Sequence, residues 1–389
     1  MKNSYDIIII GGGIIGLFQA IEAKRRGLSV ALIERVQLGF GASGAGSGIL
    51  MTHGATQFHS KFREFYVRSI NEYYPEWFEM LSQDNHQEIR PRQTGSWQFY
   101  TDESKFDSLQ SQLTREASQN FEHISRIPEH LKDWMIPEDF VGGFHFPLEE
   151  IIHNNDLLAA MTIWARNHHI DIFENTTVKQ AVYESEFWSV DIQIKAQSVV
   201  SSSVKSSSIQ STHLICSSGA WLDEILKPFG YESRMTPVRG QLAWYEDQDL
   251  LHPPLNTSLH IDGHFYAIPR EDGFILGATT EAREWDQRFV QSGDEFLNEN
   301  IQRYFPKARH TIKHKRSWAG LRPRTRDRQP LMGCIDPSIH LWVNAGHYKN
   351  GLSMAPLAAR VMIQTLLGEV PDVLFEEFHP LRKKGLVSL

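Results

Sequence analysis

Apolar and polar positions change rhythm several times along the chain. Residues 6–10 form a continuous apolar, β-branched run, and from Gly13 the apolar positions recur at helical spacing until Gly27 interrupts them. The segment LSVALIE follows as a second strand, so the chain opens with a β-α-β unit. A glycine-rich stretch, GFGASGAGSGIL, leads into a helix-like segment over 59–81. Across 92–146 the pattern shortens to strands such as GSWQFY and polar helix around 104–120, the texture of an inserted layer. Residues 155–168 read as a capped amphipathic helix, and DIFENTTV and the strictly alternating WSVDIQIKA as strands. The serine-rich SVVSSSVKSSSIQS reads as a low-complexity hairpin connector, and THLICSSGAW as a buried strand running into a glycine turn. Residues 234–280 alternate strands with turn signals at Asp262-Gly263 and Asp272-Gly273, which predicts an antiparallel sheet. A helix over 294–304, the strand LWVNAG and a final helix over 352–367 complete the pattern.

At 389 residues the chain exceeds what one hydrophobic core usually supports, so two interleaved units are expected. The 41% hydrophobic and 22% charged fractions exclude a disordered or collagen-like chain. With 39 Lys+Arg against 47 Asp+Glu the net charge is −8, which works against nucleic acid and anionic membrane as partners and favours small molecules. No apolar run approaches the roughly eighteen residues of a membrane span. Cys216 and Cys334 are too few for a disulfide framework or a four-sulfur zinc site, so a reducing, cytoplasmic setting is expected. Asp6 and the glycines after it interrupt what would otherwise resemble a signal peptide, and the start is read as mature structure. His53, His59, His168, His169, His310 and His314 show no metal-ligand spacing, and no metal is expected.

The first turn carries the clearest chemistry. Gly11, Gly13 and Gly16 form G-x-G-x-x-G between a strand and a helix, and Glu34 closes the second strand. In that context Gly11 permits the tight turn and Gly13 lets a pyrophosphate approach the helix start at Ile14 and Ile15. Gly16 allows close packing of helix on sheet, and Glu34 accepts hydrogen bonds from a ribose. An acid at this place disfavours a 2′-phosphate and leaves FAD or NAD. The loop after Glu34 and Arg35, rich in backbone donors and small side chains, suits a flat ring pressed against it.

The motifs GGGIIG, LIER, ASGAGSGIL, TPVRGQL, FYAIP, GAT, WAGLRPRT and GHYKNG together resemble the D-amino-acid oxidase superfamily, in order over nearly the whole chain. Within it they are most similar to the glycine oxidase branch of thiamine biosynthesis. The resemblance implies an α/β fold in which a Rossmann-like FAD-binding domain (1–90, 150–230 and 315–375) is interleaved with an antiparallel-sheet substrate domain (91–149 and 231–314). Residues 376–389 are left as a tail. It implies non-covalent FAD, contacted by Ala42, Ser43, Gly48, Ile49, Leu50, Val178 and Gly219, and by Arg322, His347, Tyr348, Lys349, Asn350, Gly351 and Leu352 near the C-terminus. Arg322 matches the arginine that pairs with the substrate carboxylate, and Tyr266 a tyrosine that also touches it. Lys349 stands where this branch usually has arginine, and Thr280 is smaller than the methionine its position can hold.

The implied reaction is oxidative deamination of glycine or a related small amine, by hydride transfer from Cα to flavin N5. Imine hydrolysis and reoxidation by O2 to H2O2 follow, and the expected partners are the substrate, O2 and further copies of the chain. The competing readings are a D-amino-acid dehydrogenase passing electrons to a quinone, an RNA-directed flavin oxidoreductase and a non-catalytic flavoprotein. The net charge argues against the RNA-directed one, and retention of Arg322 and Tyr266 against the last.

Overall fold

The apolar run at the start of the chain becomes strand Ser4–Ile10, and its isoleucines are buried because it lies in the interior of an eight-stranded sheet. Val30–Ile33 runs parallel to it on one side and the C-terminal half of Val204–Cys216 on the other. Asp171–Phe173 and Leu341–Ala345 extend the parallel core, while the hairpin Thr176–Glu184/Phe187–Lys195 and strand Leu331–Asp336 add antiparallel edges. A computed structural model describes residues 3–52, 60–115, 121–132, 139–195, 204–247, 255–306, 308–373 and 375–388.

Helices Ile14–Arg25 and Gly351–Leu366 pack together in the larger apolar core. The first is buried on almost every side, Gln19 and Glu22 included, because the sheet covers one face and the last helix another. Glu22, only 1% exposed, accepts from Arg25, Arg26 and Arg360, which ties the two helices by charge as well as by packing.

The second layer is a nine-stranded, mostly antiparallel sheet. Thr236–Asp247 pairs along its length with Ile312–Arg324, and the sheet continues through Gly273–Gly277, Phe265–Arg270 and Ser258–Ile261. Ser258–Ile261 lies parallel to Ser96–Tyr100, so the inserted layer read from residues 92–146 joins the same sheet. Asp262 and Gly263 sit at φ 49° and 69°, the doubly positive geometry of a tight hairpin turn.

Three expectations change. Residues 315–324, assigned with the cofactor half, belong to the nine-stranded sheet, because their backbone pairs antiparallel with Thr236–Asp247. Residues 204–211 of the serine-rich stretch are strand rather than connector: Ile209 is buried, the alternate serines face outward, and the hydrogen-bond ladder runs unbroken against Phe187–Lys195. Residues 198–203 lie outside the described part. The segment after 376 is no free tail either. Phe378 is fully buried in the core, and Val387–Ser388 pairs with Tyr231–Glu232.

Candidate active site

The strand–turn–helix at the start of the chain opens onto a cavity of about 490 Å³ that runs between the two sheets. Gly11, Gly13, Ile14, Ile15 and Glu34 line one end. Gly11 has φ +114°, and a Cβ there would meet the Ser217 carbonyl oxygen at 2.4 Å, so only glycine lets the turn sit against the neighbouring strand end. Gly16 does not line the cavity. Its Cβ would lie 1.9 Å from the Gly11 carbonyl oxygen and 3.5 Å from Ile9 Cγ2, so the turn approaches it more closely than the strand does. Glu34 is held in place by accepting from the amides of Gly12 (2.8 Å) and Val36 (2.9 Å). Arg35 pairs with Glu224 at 3.2 Å and lies over the Trp221 ring.

The glycine-rich loop follows the same wall. Ala42, Ser43, Gly48 and Ile49 face the cavity, while Leu50 points into the core instead. Four side chains pin this loop. The Ser43 hydroxyl accepts from the Ile14 amide at the helix start (2.9 Å), and the Asn154 amide donates to the Ser43 carbonyl (2.8 Å). Trp318 donates to the Ala45 carbonyl (3.0 Å), and Arg270 to the Ser47 carbonyl (2.8 Å). None of Asn154, Trp318 and Arg270 is apparent from the loop sequence, since each comes from a distant segment. Burial pulls the Arg270 guanidinium down to about 10.

Val178 and Gly219 also line the cavity, as do Ser217 and Ser218. At the far end lie Tyr266, Arg322, His347, Tyr348, Lys349, Gly351 and Leu352, whereas Asn350 is turned inward and starts the last helix by accepting from the Met354 amide. That helix, like Ile14–Arg25, presents its N-terminal turn to the cavity, so two positive dipole ends face one elongated space.

Arg322 reaches the cavity across Gly240, on the neighbouring strand. A Cβ on Gly240 would meet the Arg322 Nη2 at 2.2 Å, so this glycine makes room for the guanidinium. Gly320, directly opposite Gly240 in the ladder, gives similar room to Ala45 on the same face of the sheet. Nothing in the run TPVRGQL marks Gly240, because only strand pairing brings it under Arg322. The guanidinium donates to the Thr279 carbonyl at 3.0 Å. Burial raises the Tyr266 phenol, and the nearby Arg322 and Ser47 partly oppose the shift. Lys349 lines this end and is exposed as a residue, with its ammonium 5.8 Å from the centre of the Tyr348 ring. The lysine pKa is drawn down to about 8, by desolvation first and then by repulsion from Arg322 and Arg328. Thr280 is exposed and off the cavity wall, where Ala278 stands instead.

His347 is 3% exposed, burial lowers it to about 3, and its neutral ring bonds Asn344 Oδ1 through Nε2 at 2.7 Å. His347 Nδ1, Asn344 Nδ2 and Ser218 Oγ are buried without partners on the cavity wall. Orphaned polar atoms, two helix N-termini, a glycine cradle and a fixed carboxylate together fit an elongated dinucleotide with a flat polar ring. Neither cysteine lines this space. Cys216 is fully buried, and Cys334 donates toward the Leu341 carbonyl at 3.6 Å. Among the described residues no cluster of metal-ligating side chains occurs, and no helix is long and apolar enough to cross a membrane.

Comparison with known proteins agrees with this geometry. The glycine oxidase of Bacillus licheniformis is 26% identical over 99% of this chain and 100% of its own length. That of Pseudomonas aeruginosa is 26% identical over 95% and 97%. The crystal structure of glycine oxidase from Geobacillus kaustophilus superposes with a TM-score of 0.88 over 99% of this chain and 100% of the other, at 23% identity, which shows a shared fold. The sequence profile of the DAO family, described as FAD dependent oxidoreductase, matches residues 6–365, and the chain therefore belongs to this family of oxidoreductases, with FAD as its cofactor.

Proposed function

We propose that the chain is an amino-acid oxidase of the glycine type, acting on a small amine that bears a carboxylate. The observation that carries this reading is the convergence of Arg322 and Tyr266 on the end of the cavity opposite the dinucleotide cradle. Full-length similarity to glycine oxidases supports it. In this reading the half built on the eight-stranded sheet holds FAD and the half built on the nine-stranded sheet holds substrate. Gly11, Gly13 and the helix start at Ile14 hold the pyrophosphate, Glu34 the adenosine ribose, and residues 42–49 with His347, Tyr348, Gly351 and Leu352 the ring. The position of both cysteines off the wall supports non-covalent attachment.

Bound FAD supplies a two-electron acceptor for the substrate C–N bond, with O2 as the proposed final acceptor. The protein contributes positioning. Arg322, fixed by the Thr279 carbonyl and by the space over Gly240, offers a planar fork to the carboxylate. The Tyr266 phenol, kept neutral by its raised pKa, donates a second hydrogen bond to the same group. With the carboxylate held at two points, the Cα–H bond has one orientation toward the ring, which lowers the entropic part of the barrier. The N-terminus of Gly351–Leu366 favours negative charge developing beside it.

The test is anaerobic bleaching of the bound flavin by glycine, sarcosine and D-amino acids, followed by a peroxide assay on readmitting air. Bleaching with peroxide on reoxidation is the expected result. Purified protein with flavin that no amino acid reduces would overturn the reading.

A further inference from the structure

The charge lining the cavity is uneven. Glu34 and Glu224 are the carboxylates on its wall, and both sit at the dinucleotide end, engaged by the Gly12 and Val36 amides and by Arg35. At the substrate end Arg322 and Lys349 line the wall, and no described carboxylate does. Among the described residues Arg322 bonds a neutral carbonyl and makes no ion pair, and Lys349 and Arg328 make none. Asp327, the acid next to Arg328 in sequence, is turned away and held by Arg382 through bonds of 2.9 Å from Nε and Nη2.

Arg322 and Lys349 share this stretch of wall without a carboxylate beside them, and the pKa of Lys349 is lowered to about 8 by desolvation first and then by repulsion from Arg322 and Arg328. One carboxylate gripped by Arg322 compensates that charge and leaves the lysine on the wall of the remaining space. A lysine ammonium is a mobile point charge suited to a single oxygen of a second acid.

We propose that the substrate carries two anionic groups, an α-carboxylate on Arg322 and Tyr266 and a second acid on Lys349, as in a small amino acid with an acidic side chain or an acidic N-substituent. This rests on the carboxylate-binding reading of Arg322 given above and narrows the substrate class within it.

The experiment uses the FAD-loaded enzyme at fixed ionic strength. Dissociation constants come from perturbation of the flavin spectrum by unreactive acetate and propionate against malonate and succinate, in the natural protein and in Lys349→Met and Lys349→Arg. The expected result is dianion binding at least tenfold tighter than monoanion binding, a preference lost in Lys349→Met and retained in Lys349→Arg. Bleaching rates follow the same order, D-aspartate ahead of D-alanine and N-carboxymethylglycine ahead of sarcosine.

Equal affinity for both ligand classes in the natural protein overturns the inference, and that panel decides even if a variant does not accumulate. An intact preference in Lys349→Met overturns it as well. So does a variant that weakens both classes equally while its flavin midpoint potential falls, which assigns the charge to the cofactor. Bleaching by glycine without any dianion preference sinks this inference alone. Failure of every amino compound to bleach the flavin sinks the underlying reading with it.

Discussion

The two ends of the cavity are built differently. The dinucleotide end rests on backbone: Gly11 and Gly13 line it, Gly16 packs the helix behind it, and at Gly11 and Gly16 the fit depends on the absence of a side chain. The substrate end is made of side chains from separate segments, with Tyr266 on one strand, Arg322 on another over Gly240, and Lys349 on the turn before the last helix. The dinucleotide end is rigid and intolerant, since a Cβ at Gly11 or Gly16 meets main chain. A side-chain site is adjustable, so substitutions there change substrate handling before they change the fold.

The sharpest way to break that contrast is Gly16→Ala. Its Cβ would lie 1.9 Å from the Gly11 carbonyl oxygen, so backbone must move, and a loss of about 3 kcal/mol in stability is expected. Thermal unfolding and flavin content measure it, and normal occupancy with an unchanged melting temperature would refute the rigidity of this end.

Arg322→Ala tests the other end. Loss of a charge-assisted hydrogen-bond pair costs about 3 kcal/mol, or about a hundredfold in kcat/KM for carboxylate substrates. Flavin content is expected to stay near normal. Gly240→Ala is a subtler form of the same change, because the new methyl group displaces the guanidinium without removing it. About a tenfold fall in kcat/KM, carried mostly by KM, is expected from the loss of about one such bond. A Gly240→Ala enzyme with unaltered KM would show that Arg322 does not need its observed position. Tyr266→Phe removes one neutral donor and is expected to cost about 1 kcal/mol, or about fivefold in kcat/KM.

The smallest effect is one of pH. Lys349 titrates near 8 in the folded chain against 10.5 for a free lysine, so its charge is lost as pH rises through 8. Affinity for anionic ligands therefore falls a few-fold above that pH, and Lys349→Arg is expected to flatten the profile. Stability moves the other way. Between 8 and 10.5 the unfolded chain binds the extra proton, so folding becomes slightly more favourable as pH rises across that window. The exposure of Lys349 keeps this contribution small.

Legibility in the sequence follows the same division. The β-α-β unit was readable because its strand, glycines, helix and Glu34 are adjacent in the chain, and the hairpin turn at Asp262-Gly263 because its φ values need those residue types. The helix read at 352–367 appears as Gly351–Leu366, and that read at 294–304 as Gln291–Tyr304. The serine-rich strand was missed because polar composition hid a ladder set by its neighbour, and residues 315–324 were misassigned because sheet membership depends on pairing partners.

By itself, then, the sequence determined what short-range sterics determine: the glycine turn, the two helices whose N-termini meet the cavity, and the family motifs. Tertiary structure alone decided that Asn154, Trp318 and Arg270 pin the glycine-rich loop, that Gly240 clears a place for Arg322, and that Asp327 is drawn off by Arg382. Those contacts join residues far apart in the chain, and neither residue type nor spacing carries a distance that only strand register and packing fix.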